Sequence, residues 1–136
     1  MDFHILVSMV VWTVSGSVLL SVLMYVDSLF TRYNDLEEIR AGNLAVTMRF
    51  VLKLLAQGYI LSSSIASSNS LGDALIVSIV SFVLLFFLEK TVRILLYRWA
   101  KLDLDHGTLL GKIGYGVLAG SLHMTGALII AAFIKS

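Results

Sequence analysis

The sequence predicts an all-α, polytopic membrane protein: four transmembrane helices arranged as two parallel hairpin repeats, with a long third helix projecting into the cytoplasm. Three observations carry this. Of 136 residues, 58% are hydrophobic and 14% charged, and the mean hydropathy is +0.92. The apolar residues gather in four long runs, and nine of the ten Lys and Arg fall in two connectors. Soluble domains carry about 25% charged residues, and a domain this small leaves about a third of its surface in water. A water-soluble enzyme domain is therefore excluded, as is a disordered chain. With no Cys, neither a disulfide scaffold nor a thiolate metal site is available.

The uncharged runs are Phe3–Val26 (24 residues), Leu54–Gly72 (19), Ala74–Leu88 (15) and Ile113–Ile134 (22). A spanning helix needs about 20 mostly apolar residues. The first run has no Lys or Arg before it and is too long for a signal core, so it reads as a permanent helix over about Ile5–Phe30. Thr13, Ser17, Ser21 and Ser28 mark a packing stripe on it. In the connector that follows, Asn34 and Glu37 form a capping pair, and Gly42 suits a left-handed helix end. A short interfacial helix is expected at about Asp35–Ala41.

The second span carries Arg49, Lys53, Gln57, Ser64 and Ser68 within about 100° of one another. Setting the membrane boundary at Leu44 sinks Lys53 by about 14 Å. A charge facing lipid there costs about 2.5–3.5 kcal/mol. Setting it at Lys53 instead leaves a span whose outer half is Ser62–Ser70. Either way the polar face turns to protein or water, with Asp27 and Glu38 as candidate ion-pair partners. Four short helices offer little interior, so self-association is the expected means of shielding. A second capping pair, Ser70 with Asp73, starts the third span near Leu71. With no Pro to stop it, this helix continues to about Ala100. Its basic end (Lys90, Arg93, Arg98) lies beside Tyr97 and Trp99, which with Trp12 and Tyr25 suit interfacial anchoring.

In the fourth span Lys112, Gly116, Gly120, His123, Ala127 and Ala131 share one face, and Gly116 and Gly120 suit close helix packing. His123 is a titratable group at depth, a functional candidate; its plainer reading is a neutral ring satisfied by a nearby Ser or Thr. Asp103-x-Asp105-His106 is the only cluster of ligand types, and its plainer reading is a solvated turn capping the fourth span. No metal or cofactor is expected, and no nucleophile constellation argues for catalysis. The basic connectors face the cytoplasm under the positive-inside rule, which places both termini outside.

The chain reads as a single membrane domain, with repeat 1 at about 1–66 and repeat 2 at about 67–136. The proposed junctions are Gly42-Asn43-Leu44 and Gly107-Thr108-Leu109, with Glu38 and Asp103 at matching places. The motif Glu38-Ile39-x-x-Gly42-Asn43-x-Ala45, followed by Ser62–Ser70 and Leu71-x-Asp73, resembles the bacterial domain-of-unknown-function 350 family. That resemblance implies a small multi-pass protein of the bacterial inner membrane, built from a duplicated hairpin, and no catalytic residue. Arg49 and Lys53 stand where small apolar residues are expected.

Three functions follow. The first is a homo-oligomeric channel or permeation protein with a cationic face. The second is a scaffold or partner subunit docking a cytoplasmic protein or anionic lipid through its basic segments. The third and weakest is a membrane enzyme. The partners expected are the lipid bilayer, further copies of the chain and a cytoplasmic protein, but no nucleic acid.

Overall fold

The computed structural model describes residues 2–136, which form six helices. They are α1 (Phe3–Ser28), α2 (Asp35–Arg40), α3 (Leu44–Ser67), α4 (Leu71–Ala100), α5 (Leu104–Leu109) and α6 (Ile113–Lys135). Four of them (α1, α3, α4 and α6) are long and apolar enough to cross a bilayer. The chain is a multi-pass membrane-helical protein.

Local chemistry accounts for most helix ends. Asp2 accepts from the His4 amide and starts α1, two residues before the expected start. Asn34 accepts from Glu37 N and opens α2, Asn43 from Val46 N at α3, and Ser70 from Asp73 N at α4. Each fills one of the amides that a helix start leaves without a partner. The third span runs without a break to Ala100, 30 residues, or about 45 Å at 1.5 Å per residue. It stops at Lys101, whose φ of 56° is left-handed.

Two expectations are corrected at the second connector. Asp103 does not cap the fourth span; it accepts from His106 N and starts the separate helix α5. Gly107 is not a junction either. It lies inside α5 under the Tyr115 ring, which leaves no room for a Cβ. The left-handed glycines are Gly42 (φ 88°) and Gly111 (φ 83°), each just before a long helix.

Helices α3 and α6 form the centre and run the same way: Ala45 meets Gly116, Leu52 meets Gly120, and Gln57 meets His123. Gly116 and Gly120 let the two backbones approach, which in lipid substitutes van der Waals packing for the absent hydrophobic drive. Helix α4 packs antiparallel to both, with Leu85 and Leu88 against Gly126. Ala56, Ile60, Leu85 and Ala127 make a core with no exposed surface. Helix α1 is the peripheral member. Its buried residues are Gly16, Leu23, Met24 and Asp27, while Thr13, Ser17 and Ser21 face outward. The expected hydroxyl packing stripe is thus displaced; Ser21 bonds its own helix at Ser17 O.

Candidate functional site

The polar stripe of α3 points inward. Arg49, Lys53, Gln57 and Ser64 are all at most 3% exposed. Every other helix except α2 supplies a partner, so the stripe becomes the hub of one ionic network. Lys53 Nζ lies 2.6 Å from Asp27 Oδ2 on α1 and 3.8 Å from Glu89 Oε1 on α4. Arg49 donates to Asp105 Oδ1 on α5 at 2.7 Å and to Glu89 Oε1 at 3.4 Å. Arg93 reaches Asp105 at 3.2 Å. On α6, His123 Nδ1 stands 2.6 Å from Glu89 Oε2, and its Nε2 stands 3.4 Å from Gln57 Nε2.

The protonation pattern follows from these contacts. With the Gln57 amide turned so that Nε2 faces the ring, His123 Nε2 accepts, and the Nδ1 proton goes to the Glu89 carboxylate. The ring is then neutral. Three carboxylates (Asp27, Glu89, Asp105) balance three cations (Arg49, Lys53, Arg93), and at the exposed edge Arg32, 3.7 Å from Asp105, is matched by Asp103 at 3.1 Å. Balance matters because an uncompensated buried charge costs several kcal/mol, and removing one partner of a buried pair costs about 3–5 kcal/mol. Ser64 is simpler: its hydroxyl returns to Ile60 O on its own helix at 2.9 Å.

Three sequence-based readings change here. Glu38 pairs with no cation among the described residues; it accepts from Asn43 Nδ2 at 3.2 Å. His123 is satisfied by Glu89 and Gln57 rather than by Ser or Thr. Asp105 is buried (8% exposed) rather than solvated. A second copy is not needed to shield the cations, because Glu89 and Asp105 do it within one chain.

Outside the membrane-spanning segments, the network shifts ionisation. Burial alone would raise the Asp105 carboxyl, but the Arg49 charge and hydrogen bond, with Arg93 and Arg32, outweigh it and hold it below the usual range. Burial pushes Tyr33, which accepts from Arg49 at 2.7 Å, up to about 12. Asp35 is also raised, chiefly by burial, despite its bond from Ser28.

The motif around Gly42 is structural. Asn43 caps α3 and also donates to Leu109 O at 2.9 Å, tying the start of α3 to the end of α5. Ala45 is fully buried against Gly116. Beside the network, a cleft of about 470 Å³ opens between α4 and α5, lined by Arg32, Lys90, Arg93 and Arg98 with Phe30 and Ile94. Among the described residues no cluster of three or more His, Asp or Glu is set to hold a metal ion.

A family model described as Domain of Unknown Function (DUF350) matches residues 1–134. No curated protein and no solved structure matches the chain. With all but two of its residues inside that match, the chain belongs to the DUF350 family.

Proposed function

We propose that this protein is a non-catalytic membrane scaffold whose basic end binds the head groups of anionic lipids. One contrast supports the reading. The cations of α3 are neutralised inside the chain, whereas Lys90 and Arg98 are exposed and make no ion pair among the described residues. Both line the cleft beside Arg93, together with the exposed apolar side chains of Phe30 and Ile94. Basic pockets next to a membrane attract anionic head groups, at about 1 kcal/mol per cation near the surface. The Arg49–Lys53–Gln57 face suits this role better than a cationic lining for anions, because its cations are already neutralised inside the chain.

The remaining expectations belong to the same proposal. The basic end faces the cytoplasm and both termini lie outside, following the Lys and Arg distribution, and the membrane is a bacterial inner membrane. The chain is a duplicated hairpin, and the register supported by the backbone pairs Asn34 with Asp103 and Gly42 with Gly111, not Gly107. Self-association falls to α1, whose outer residues such as Phe3, Val10 and Val14 are exposed.

Nanodiscs with and without phosphatidylglycerol test the proposal. Anionic lipid is expected to raise the unfolding temperature, since a ligand bound only to the folded state stabilises it. Lys90→Glu with Arg98→Glu should abolish that rise while leaving the fold intact. An equal unfolding temperature in both lipid compositions overturns it.

A further inference from the structure

Among the described residues, five buried side-chain atoms have no hydrogen-bond partner: Arg49 Nε, Arg93 Nε, Gln57 Oε1, Ser63 Oγ and Ser78 Oγ. Buried polar groups are nearly always bonded to protein or water, and groups of this kind are where interior water is held. Their placement is ordered. Arg49 Nε and Arg93 Nε belong to the cations that bridge Glu89 and Asp105. Gln57 Oε1 belongs to the amide that meets His123.

Ser63 and Ser78 lie further along the bundle. Lys53 meets Glu89 on antiparallel helices. Eleven residues on from Lys53 is Ser64, and eleven back from Glu89 is Ser78. Equal steps of about 16 Å therefore bring the serines to one level, close to the end of α3 at Ser67. Between the ionic and serine levels sits the apolar cluster of Ala56, Ile60, Leu85 and Ala127.

We propose that the chain encloses a gated proton path from the Ser63–Ser78 level through His123 and Glu89 to Asp105, with Ile60 and Leu85 as its gate. A proton arrives at His123 Nε2, the nitrogen that carries none, and makes the ring a cation. The Nδ1 proton crosses 2.6 Å to the Glu89 carboxylate. Glu89 releases it through water, held at Arg49 Nε and Arg93 Nε, to Asp105 and the cleft. One proton enters and one leaves, and the ring resets by turning so that its remaining N–H again faces Glu89. The charged groups facing the relay pair are Lys53 and Arg49 from α3, Arg93 from α4, Asp27 from α1 and Asp105 from α5. The apolar cluster blocks the path by excluding water, the way hydrophobic constrictions close channels. The path ends in the same cleft as the lipid site, but its relay pair, His123 and Glu89, is buried and does not line that cleft, so the two are tested apart.

The test is proton flux into liposomes holding the full chain and a trapped pH dye, driven by a potassium diffusion potential. Leu85→Ala, which thins the gate, is expected to raise the flux at least fivefold over wild type. In that background His123→Asn should return it to the wild-type level, with helical content and elution profile unchanged. Flux through Leu85→Ala should also slow about twofold or more in D2O, a readout that needs no second substitution to fold. A Leu85→Ala flux no greater than that of empty liposomes overturns the proposal. So does an increased flux that is insensitive to D2O or accompanied by chloride leak, since that marks a general defect.

Discussion

Lys53 Nζ and Asp27 Oδ2 stand 2.6 Å apart, and theirs is the one ion pair that joins α1 to the rest of the fold among the described residues. Both side chains are nearly shielded, at 4% and 6% exposure. Asp27→Ala therefore leaves Lys53 only its longer contact to Glu89 and the buried network one cation in excess, and is expected to destabilise by about 3–5 kcal/mol. The effect should appear first as loss of α1 docking. Gly16 lies against Leu61, so the yield of a disulfide between Gly16→Cys and Leu61→Cys reads it directly. Replacing the pair together, Asp27→Leu with Lys53→Met, should restore most of the yield, because no charge is then stranded.

Gly116 and Gly58 should respond in opposite ways to the same substitution. A Cβ at Gly116 runs into the Ala45 carbonyl, which is backbone and cannot rotate aside. Gly116→Ala forces α3 and α6 apart and is expected to cost about 1–3 kcal/mol, in the range of overpacked cores. Gly58 has nothing within 4 Å of that position. Gly58→Ala should be neutral or stabilising by up to about 1 kcal/mol, from helix propensity alone. Reversible unfolding in mixed detergent compares the two.

Acid should remove the contribution of Asp105. Its folded carboxyl is held below the ordinary range, so the folded state binds its proton less readily than the unfolded state. The stabilisation is then complete above the unfolded value of about 3.9 and disappears as pH falls through the lower folded value. Asp105→Asn should be clearly less stable than wild type at pH 7, with the difference shrinking below about pH 4. A constant difference from pH 7 to pH 3 would contradict the assignment.

Asn43 serves as both cap and strut. Asn43→Ala removes the bond to Val46 N, the bond to Leu109 O and the contact with Glu38. A lost N-cap costs about 0.5–2 kcal/mol, and the Leu109 carbonyl loses a donor besides. Asn43→Ser keeps the capping oxygen but cannot reach Leu109, so it should recover only part of the loss. Hydrogen exchange of the α5 amides, expected to quicken in both variants, separates the strut from the cap.

The local signals in the sequence were the readable ones. Asn34 and Ser70 cap from side chains three residues from the amide they hold, and Gly42 turns left-handed within its own connector. The inward stripe on α3 was readable too, because a 3.6-residue period places Arg49, Lys53 and Gln57 together. The remaining acids were harder. Asp105 sits in a six-residue helix too short to show periodicity, and its partner Arg49 is 56 residues away. Glu89 had a usable signal: Ser78, Phe82, Leu85 and Glu89 fall at helical spacing, and all four are buried. As a charge closing an apolar run, it reads more readily as a membrane boundary than as part of the interior. The reading of Gly107 as a junction failed for a similar reason, since it resembles a turn glycine in sequence while it lies inside α5 with the Tyr115 ring in the space above it.

The spacing of the ionic partners along the chain also sets an order for biosynthesis. When α3 leaves the ribosome, Asp27 already exists, but Glu89 follows Arg49 by forty residues and Asp105 by fifty-six. A guanidinium facing lipid costs about 2.5–3.5 kcal/mol, so α3 is expected to settle fully only once α4 and α5 are made. Truncation before Glu89 should therefore leave α1 and α3 with Arg49 unanswered and a chain more readily degraded than the full one.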